Sequence, residues 1–331
     1  EIMPSLVGSE MCIRDRKGIC GKMKFPEALK KGDNVFVFCP SSPIFPEDLE
    51  KCEKAIKDLG FNPVFGKSLT ESYGGYMAGS PEIRVIDLHE AFSREDIKGI
   101  ICAKGGYSAS LMLDKIDYEL IKNNPKVFVG YSDVTNLHIV FNQKCDLGTY
   151  HGPMVKSNMF ENFNDYTKNS FLEALENEKW IHKNPDYIEI SVLETGNNNF
   201  DEVEGIITGG NLVIIATTLG TWYEIDVKDK ILFLEDVEEP VGSIHRMLTH
   251  LKNCGKLNEC KAIIFGNFAD CGNKYDENYG VMEMLKDFFK DYDKPVIYNF
   301  ESGHAKPFLA TVPLGATCKI NVKTKEISFE K

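Results

Sequence analysis

The chain has 331 residues, of which 43% are hydrophobic, and 38 Lys and Arg residues stand against 50 Asp and Glu residues, for a formal net charge of −12. Such a chain can bury a sizeable core, which excludes disordered and collagen-like proteins. An acidic balance without a basic cluster argues against nucleic acid and membrane as partners, because both attract clustered Lys and Arg. The length predicts two domains, and a small molecule or peptide is the expected substrate.

We interpret residues 1–22 as a non-native or disordered segment, because the stretch 4–16 has neither helical nor strand periodicity. Met23 is then the expected native start. No apolar run approaches the roughly 18–20 residues of a membrane span, and the N-terminus lacks the pattern of a secretory signal. The sequence therefore predicts a cytoplasmic protein.

Apolar runs that stop at Gly, Pro or Ser alternate with helical patterns in the first half of the chain. This alternation predicts βαβ units on a parallel sheet covered on both faces, in an N-terminal α/β domain at residues 31–155. The predicted strands lie at 34–39, 61–65, 97–103 and 127–130, and the predicted helices at 46–59, 81–93, 110–122 and 133–142.

The composition then shifts to Asn, Glu, Lys and Asp, which predicts a linker at 156–200 and a second domain at 201–331. Strands and helices alternate again in this second domain, and two strands close the chain. This second domain is predicted to begin at 204–211 and to continue with strands near 230–234, 262–266 and 295–298, helices near 212–219, 242–253 and 280–289, and closing strands near 317–322 and 326–329.

The sequence Val129-Gly130-Tyr131-Ser132-Asp133 is an apolar strand that turns into a helix within one residue. A serine at such a turn is pushed out of the sheet edge, beside backbone N–H groups that can stabilise an oxyanion. The pattern resembles a nucleophile elbow, although Val134 stands where a second glycine is usual. The alternative is that Ser132 or Asp133 only caps the helix, as these residue types often do.

A buried strand runs directly into four carboxylates at Glu235-Asp236-Val237-Glu238-Glu239. A carboxylate at the C-terminal end of a parallel strand lies at the edge where α/β proteins place their sites. One of these groups can orient a catalytic histidine. A solvated acidic turn is one alternative. A divalent-metal cluster is a weaker one, because no histidine lies at ligand spacing, and we predict no metal site.

His304, in Ser302-Gly303-His304, also follows an apolar strand, and a loop histidine at a strand end can reach a nucleophile. The glycine pair Gly105-Gly106 ends another strand and allows the backbone to approach a ligand closely. It matches no nucleotide-binding motif. The order Ser132, Glu235, His304 is also that of the α/β-hydrolases, which favours a hydrolase.

The same residues belong to a longer series of motifs that resembles the LD-carboxypeptidase family, which includes the microcin C immunity proteins. The resemblance covers nearly everything from Lys31 to Lys331. Its motifs, in order, are Gly105–Tyr107, Ile116–Ile121, Asn124–His138, His151–Pro153, Gly209–Leu212, Leu219–Thr221, Phe233–Glu239, Gly303–His304 and Pro313–Gly315.

The resemblance implies a serine carboxypeptidase that removes the terminal D-alanine from murein tetrapeptide, at an LD bond, in cell-wall recycling. Ser132 would be the nucleophile, His304 the general base and then acid, and Glu235 the group that orients His304. The oxyanion donors would be the backbone N–H of Asp133 and that of a glycine in the 105–106 loop.

Tyr107, next to these glycines, is assigned with them to substrate binding. The family fold is a flavodoxin-like parallel-sheet N-terminal domain plus a smaller β-rich C-terminal domain. The resemblance also implies a homodimer, a site between the domains, and no cofactor or metal.

The chain departs from the family pattern at two positions. Lys104 replaces the arginine that often precedes the glycine pair, which keeps the charge but loses bidentate carboxylate binding. Ala305 follows His304 where many relatives have glycine.

Two alternative functions stay open. One is an immunity-type amidase that cleaves a peptide-nucleotide antibiotic, for which an aromatic ring on the linker would stack on adenine. The other is a non-catalytic binding protein for cell-wall peptides. The linker aromatics are Phe160, Phe163, Tyr166 and Trp180.

Overall fold

The computed structural model describes residues 23–161, 163–196 and 199–331. The predicted non-native or disordered segment 1–22 lies outside these ranges. The strands are β1 Asn34–Phe38, β2 Asn62–Phe65, β3 Ile97–Cys102, β4 Val127–Gly130, β5 Thr149–His151, β6 Lys179–Ile181, β7 Ser191–Val192, β8 Glu202–Asn211, β9 Ile231–Val237, β10 Ala262–Ala269, β11 Val296–Tyr298, β12 Val312–Leu314, β13 Thr317–Asn321 and β14 Glu326–Glu330. The α-helices are α1 Leu49–Asp58, α2 Pro81–Ser93, α3 Tyr118–Asn123, α4 Thr135–Cys145, α5 Asp165–Glu176, α6 Leu212–Thr218, α7 Val241–Asn253, α8 Lys256–Glu259 and α9 Val281–Phe289.

The first sheet has six strands in the spatial order β12-β5-β4-β3-β1-β2, and β1 to β5 pair in parallel. Both faces are covered. On β1, Val35 and Val37 point into one hydrophobic cluster, whereas Phe36 and Phe38 point into another, and all four are fully buried. A strand buried on both faces reads as a continuous apolar run, which is why the parallel sheet was predictable.

The second sheet has eight strands in the order β6-β14-β13-β8-β9-β10-β11-β7. Its centre, β8 to β11, is parallel, and its flanks are antiparallel. The expectation of a mixed α/β fold with a parallel-sheet first half and a β-rich second half is confirmed. The parallel strands of both sheets end where the candidate site lies.

Two features of the structure are missing from the sequence-based outline. The segment expected to be a linker contains α5 and the strands β6 and β7, which form the two edges of the second sheet. In addition, β12 comes from the second half of the chain but pairs antiparallel with β5 in the first sheet. The domain boundaries therefore stay a prediction, and the two halves are interlocked through β12.

The helix predicted at 110–122 is divided in two. A 3₁₀ turn covers Ala109–Lys115, and α3 begins only at Tyr118. The break comes from Ile116, which is extended, and from Asp117, whose Oδ1 accepts a hydrogen bond from the N–H of Leu120 at 3.0 Å and so caps the new helix. Across the ranges given above, no helix combines the length and apolar character needed to cross a membrane.

Candidate active site

Ser132 lies at the turn between β4 and α4. Tyr131 is extended, Ser132 has a φ of +66°, and a short 3₁₀ turn then leads into the helix. The left-handed region costs a non-glycine residue about 1–2 kcal/mol, and such strain clusters at functional sites. The strand, strained serine and helix match the geometry of a nucleophile elbow, and the side chain of Ser132 is partly exposed.

The glycine loop after β3 packs directly against Ser132. A Cβ on Gly105 would lie 2.9 Å from Ser132 Cβ and 3.1 Å from its Oγ, so a larger residue would displace the serine. Gly106 has a φ of +152°, and a Cβ there would overlap the hydroxyls of Ser41 and Ser42. The backbone of this loop can thus approach a substrate bound at Ser132, whereas Tyr107 projects into solvent with 84% of its surface exposed.

Hydrogen bonds to the side chain of Asp133 connect the segment after the glycine loop to the turn that contains Ser132. The Oδ2 atom of Asp133 accepts hydrogen bonds from Ser41 Oγ at 2.6 Å and from the N–H of Ala109 at 2.8 Å, and its Oδ1 accepts one from Asn136 Nδ2 at 3.0 Å. Asp133 is buried. The carboxylate therefore has a structural role, while the backbone N–H of the same residue is the group that sequence analysis assigned to the oxyanion.

Glu235 and His304 are joined by a hydrogen bond. His304 Nδ1 lies 2.7 Å from Glu235 Oε2, and the Glu235 side chain is fully buried whereas that of His304 is 15% exposed. Strand alternation along β9 turns Glu235 towards His304 and turns the next residue, Asp236, towards Asn211. The remaining oxygen of the glutamate, Oε1, is buried without a hydrogen-bond partner among the described residues.

Burial and charge act in opposite directions on His304. Burial lowers the pKa of the imidazole, but the charge of Glu235 and its hydrogen bond, with smaller contributions from Asp236 and Glu238, raise it, and the net pKa is above the ordinary value of 6.5. A carboxylate that stabilises the imidazolium is the arrangement that a general base requires.

Tyr131 connects the serine to the histidine. Its ring packs edge-on against His304, with centroids 4.8 Å apart, and against His151 at 5.7 Å. Ser132 and His304 share no hydrogen bond in the part of the chain that the structure describes, but the ring that contacts His304 belongs to the residue directly before Ser132. Such contacts are often long before substrate binds. Of the candidates from sequence, the structure pairs Glu235 with His304 and Gly105 with Ser132.

Sequence reasoning gave no role to Ser41, Tyr131 or Thr135, and it named Asp236 only as one of four carboxylates that can orient a histidine. Ser41 ties the glycine loop in place, since its hydroxyl also accepts a hydrogen bond from the N–H of Ser108 at 3.0 Å. A signal was present in Pro40-Ser41-Ser42-Pro43, directly after β1, because loops that follow parallel strands meet at one edge. Within the described ranges, no group of three or more His, Cys, Asp or Glu side chains is placed to hold a metal ion.

Comparisons with known proteins agree with this architecture. The LD-carboxypeptidase N-terminal domain matches residues 35–152, and the LD-carboxypeptidase C-terminal domain matches residues 204–320. The chain is 34% identical to a probable murein peptide carboxypeptidase of Bacillus subtilis over 316 residues, covering 95% of this chain and 97% of that protein.

Two solved structures are similar over most of their length. The muramoyltetrapeptide carboxypeptidase of Oxalobacter formigenes has a TM-score of 0.78 at 26% identity, covering 89% of this chain and 97% of that one. The microcin C7 self-immunity protein MccF, in complex with aspartyl sulfamoyl adenosine, has a TM-score of 0.80 at 26% identity, covering 92% of this chain and 98% of that one.

The fold and the site together define an α/β hydrolase that is built on two sheets and has a strained serine after the strand β4. The chain belongs to the LD-carboxypeptidase family, a family of peptidases that also contains immunity proteins of the MccF kind.

Proposed function

We propose that the protein is a serine-type LD-carboxypeptidase that removes the terminal D-alanine from murein tetrapeptide in cell-wall recycling. The observation that carries this proposal is the buried Glu235–His304 pair, whose histidine packs on Tyr131, the residue directly before the strained Ser132. The family relationship supports the cell-wall substrate, because the relatives include a probable murein peptide carboxypeptidase and a muramoyltetrapeptide carboxypeptidase.

The reaction follows from the protonation of His304. Its Nδ1–H donates to Glu235, so Nε2 is free to accept the proton of Ser132 while Oγ attacks the carbonyl carbon of the LD bond. Backbone N–H groups of Asp133 and of Gly105 or Gly106 would stabilise the oxyanion. His304 then returns the proton to the nitrogen of the departing D-alanine. Water, deprotonated by the same imidazole, hydrolyses the acyl-enzyme and releases the tripeptide.

Lys104 supports the carboxypeptidase specificity. An exopeptidase must hold the free carboxylate at the end of its substrate, and this lysine is half-buried directly before Gly105. Among the described residues, no carboxylate lies within ion-pair distance of its ammonium, in contrast to Lys156 nearby, which pairs with Asp48 and Glu161. Among the described residues, Lys104 is therefore a cation without a carboxylate partner, directly before the glycine that packs against Ser132.

The nucleotide substrate of an immunity-type enzyme is the second candidate. Of the linker rings, Trp180 is buried against Phe329, and Phe160, Phe163 and Tyr166 are partly buried and packed on the core. An exposed ring in the same segment is Tyr187, which packs at 5.9 Å against Phe308 on the loop that follows His304. Tyr187 is the residue through which an aminoacyl nucleotide could be held.

The proposal is tested by incubating the purified protein and its Ser132→Ala variant with murein tetrapeptide and measuring D-alanine by mass spectrometry. We expect release by the wild type and a loss of about 10⁴–10⁶-fold in the variant. A tetrapeptide ending in L-alanine is the stereochemical control, and an aminoacyl sulfamoyl adenosine tests the second candidate. Binding of tetrapeptide without release by either protein would favour a non-catalytic binding protein. A cytoplasmic location and a homodimer remain part of the proposal, the latter to be measured by light scattering.

A further inference from the structure

A chain of hydrogen bonds connects α4, the helix that follows the first sheet's β4, to strands β8 and β9 of the second sheet. Thr135 is the first residue of α4, three positions after Ser132, and its Oγ1 accepts a hydrogen bond from the backbone N–H of Asn211 at 3.1 Å. Asn211 ends β8 in the second sheet, and its Nδ2 donates to Asp236 Oδ1 at 3.1 Å. Asp236 directly follows Glu235.

Each link in this chain is buried and specific. Thr135, Asn211 and Asp236 are at most 3% exposed. Asn211 also caps α6, since its Oδ1 accepts from the N–H of Ile214 at 3.3 Å, so its backbone N–H and both side-chain polar atoms are engaged. Buried polar groups that are fully paired fix one arrangement of the elements that carry them, because each unpaired alternative is costly.

Gly210 makes the crossing possible. Its φ is +138°, and a Cβ there would lie 2.5 Å from Thr135 Oγ1 and 2.9 Å from Thr135 Cγ2. The absence of a side chain therefore lets the start of α4 rest directly on β8. This close approach accounts for Gly210, whereas a Cβ on Gly209 would instead overlap the backbone of Phe233 on β9.

We propose that Thr135, Asn211 and Asp236 form a positioning bridge that holds the Ser132 elbow in register with the Glu235–His304 pair. The inference rests on the proposed serine mechanism. The nucleophile and its base come from different sheets, so their distance is set by the contact between the sheets. A misplacement of about 1 Å can reduce the rate about 10²-fold.

The charge of Asp236 adds a second effect. Burial, followed by the charge of Glu235, raises the pKa of Asp236 to about 6, against hydrogen bonds from Val237, Asn211 and Val213 that lower it. The other titratable groups that face Asp236 are Cys271, after β10, and His304. Its anion is a stronger acceptor for Asn211 and also contributes to the raised pKa of His304.

The hydroxyl of the bridge is tested with Thr135→Val and Thr135→Ser. Valine keeps the volume but removes the acceptor, and we expect kcat for tetrapeptide to fall about 10- to 100-fold with KM nearly unchanged. Serine restores the hydroxyl and is expected to restore most of kcat. An unchanged kcat in the valine variant overturns the bridge, and so does an equal loss in both variants, which would assign the effect to packing.

The carboxylate is tested with Asp236→Asn, matched by Glu238→Gln. Both carboxylates raise the pKa of His304, so both variants should shift the acid limb of the pH profile of kcat/KM to lower pH. Only Asp236 accepts hydrogen bonds from Asn211 and Val213, so only its variant should also lose kcat on the pH plateau. Equal plateau values for the two variants overturn the role of Asp236.

Labelling with a fluorophosphonate, which reacts with activated serines, distinguishes a failure of the positioning bridge from a wrong choice of substrate. If the wild type is labelled at Ser132 but releases no D-alanine, the murein substrate is wrong, and the labelling rates of the Thr135 variants still test the bridge. If Ser132 is not labelled in the wild type, there is no activated serine to position, and the bridge is overturned.

Discussion

The Nδ1 atom of His304 lies 2.7 Å from the Oε2 atom of Glu235, although Glu235 lies on β9 and His304 on the loop that follows β11, 69 residues later in the chain. Burial lowers the pKa of His304, but the charge and hydrogen bond of Glu235 outweigh burial, and the net pKa of His304 is above 6.5. An imidazole that acts as general base must be neutral, so activity should increase as the pH rises through this raised pKa.

Replacing Glu235 with Gln removes the charge and leaves the burial that lowers the pKa of His304. We expect the acid limb of kcat/KM to shift to lower pH and kcat at the plateau to fall by up to about 10⁴-fold, since the orienting anion is lost. The measurement is a pH profile from 5 to 9. An acid limb that stays in place would remove His304 as the base.

The strain at Ser132 predicts a trade of stability against activity. Ser132→Gly should be inactive yet more stable than Ser132→Ala by about 1 kcal/mol, because glycine adopts a positive φ without the steric cost of a Cβ. Urea unfolding of the two variants measures the difference. At Ser93, the last residue of α2, alanine should be the more stable of the same two substitutions, which controls for helix propensity.

A methyl group at Gly105 would lie 2.9 Å from the Cβ of Ser132 and 3.1 Å from its Oγ. We expect Gly105→Ala to lower kcat about 10²–10³-fold, the loss typical of a displaced oxyanion donor. Gly242→Ala is the matched control, because a Cβ at that helical position would meet nothing within 4 Å. Wild-type kcat in the Gly105 variant would exclude this loop from the reaction centre.

Recognition of the terminal carboxylate should depend on Lys104. Lys104→Met is expected to raise KM for the tetrapeptide acid while leaving the poorer hydrolysis of the tetrapeptide amide unchanged, and Lys104→Arg should retain the preference for the acid. Lys98→Met, on the exposed start of β3, serves as the control. The same acid-to-amide ratio in the methionine variant and the wild type would contradict the assignment.

Buried neutral histidines should make the protein less stable in acid. Burial lowers the pKa of His182 to about 4, although the hydrogen bond that its Nε2 donates to Asn184 Oδ1 raises it. The unfolded chain takes up a proton near pH 6.5 and the folded chain only near 4, so this contribution to stability is present above 6.5 and is lost as the pH falls towards 4. His182→Phe keeps the stacking on Phe300 and should flatten the pH dependence of urea unfolding in this range, whereas His245→Asn, at an exposed position, should not.

The elements that sequence predicted well carry their signal locally. The run from Val127 to Gly130 is apolar because β4 is buried on both faces, and Ser132 and Asp133 mark the turn that follows. The helix α5 was missed because only four of its residues are buried, Thr167, Phe171, Ala174 and Leu175, among many polar neighbours. β12 was missed because its three residues pair with a strand far away in sequence, which no local pattern records.

The site shows the same division. A carboxylate at the end of β9 was predictable, but strand alternation alone leaves open whether Glu235 or a neighbour faces the histidine, and the family resemblance made that choice. The contact of Asn211 with Thr135 joins the end of β8 in the second sheet to the start of α4, the helix that follows β4 of the first sheet. In the sequence, this contact is reflected in Gly210. The reason for a glycine at this position becomes clear in the structure, where a Cβ would collide with Thr135 at the start of α4.

The strand β12 has a consequence for how the protein can be divided. A fragment that ends near residue 155 would lack Val312–Leu314 and would leave the backbone of β5 as an uncovered sheet edge, which invites pairing between molecules. The matching fragment would carry an orphaned strand with no sheet to join. Each half of the chain therefore covers backbone that would otherwise be exposed in the other half. A chain cut within the connecting segment should give soluble protein only when both pieces are produced together.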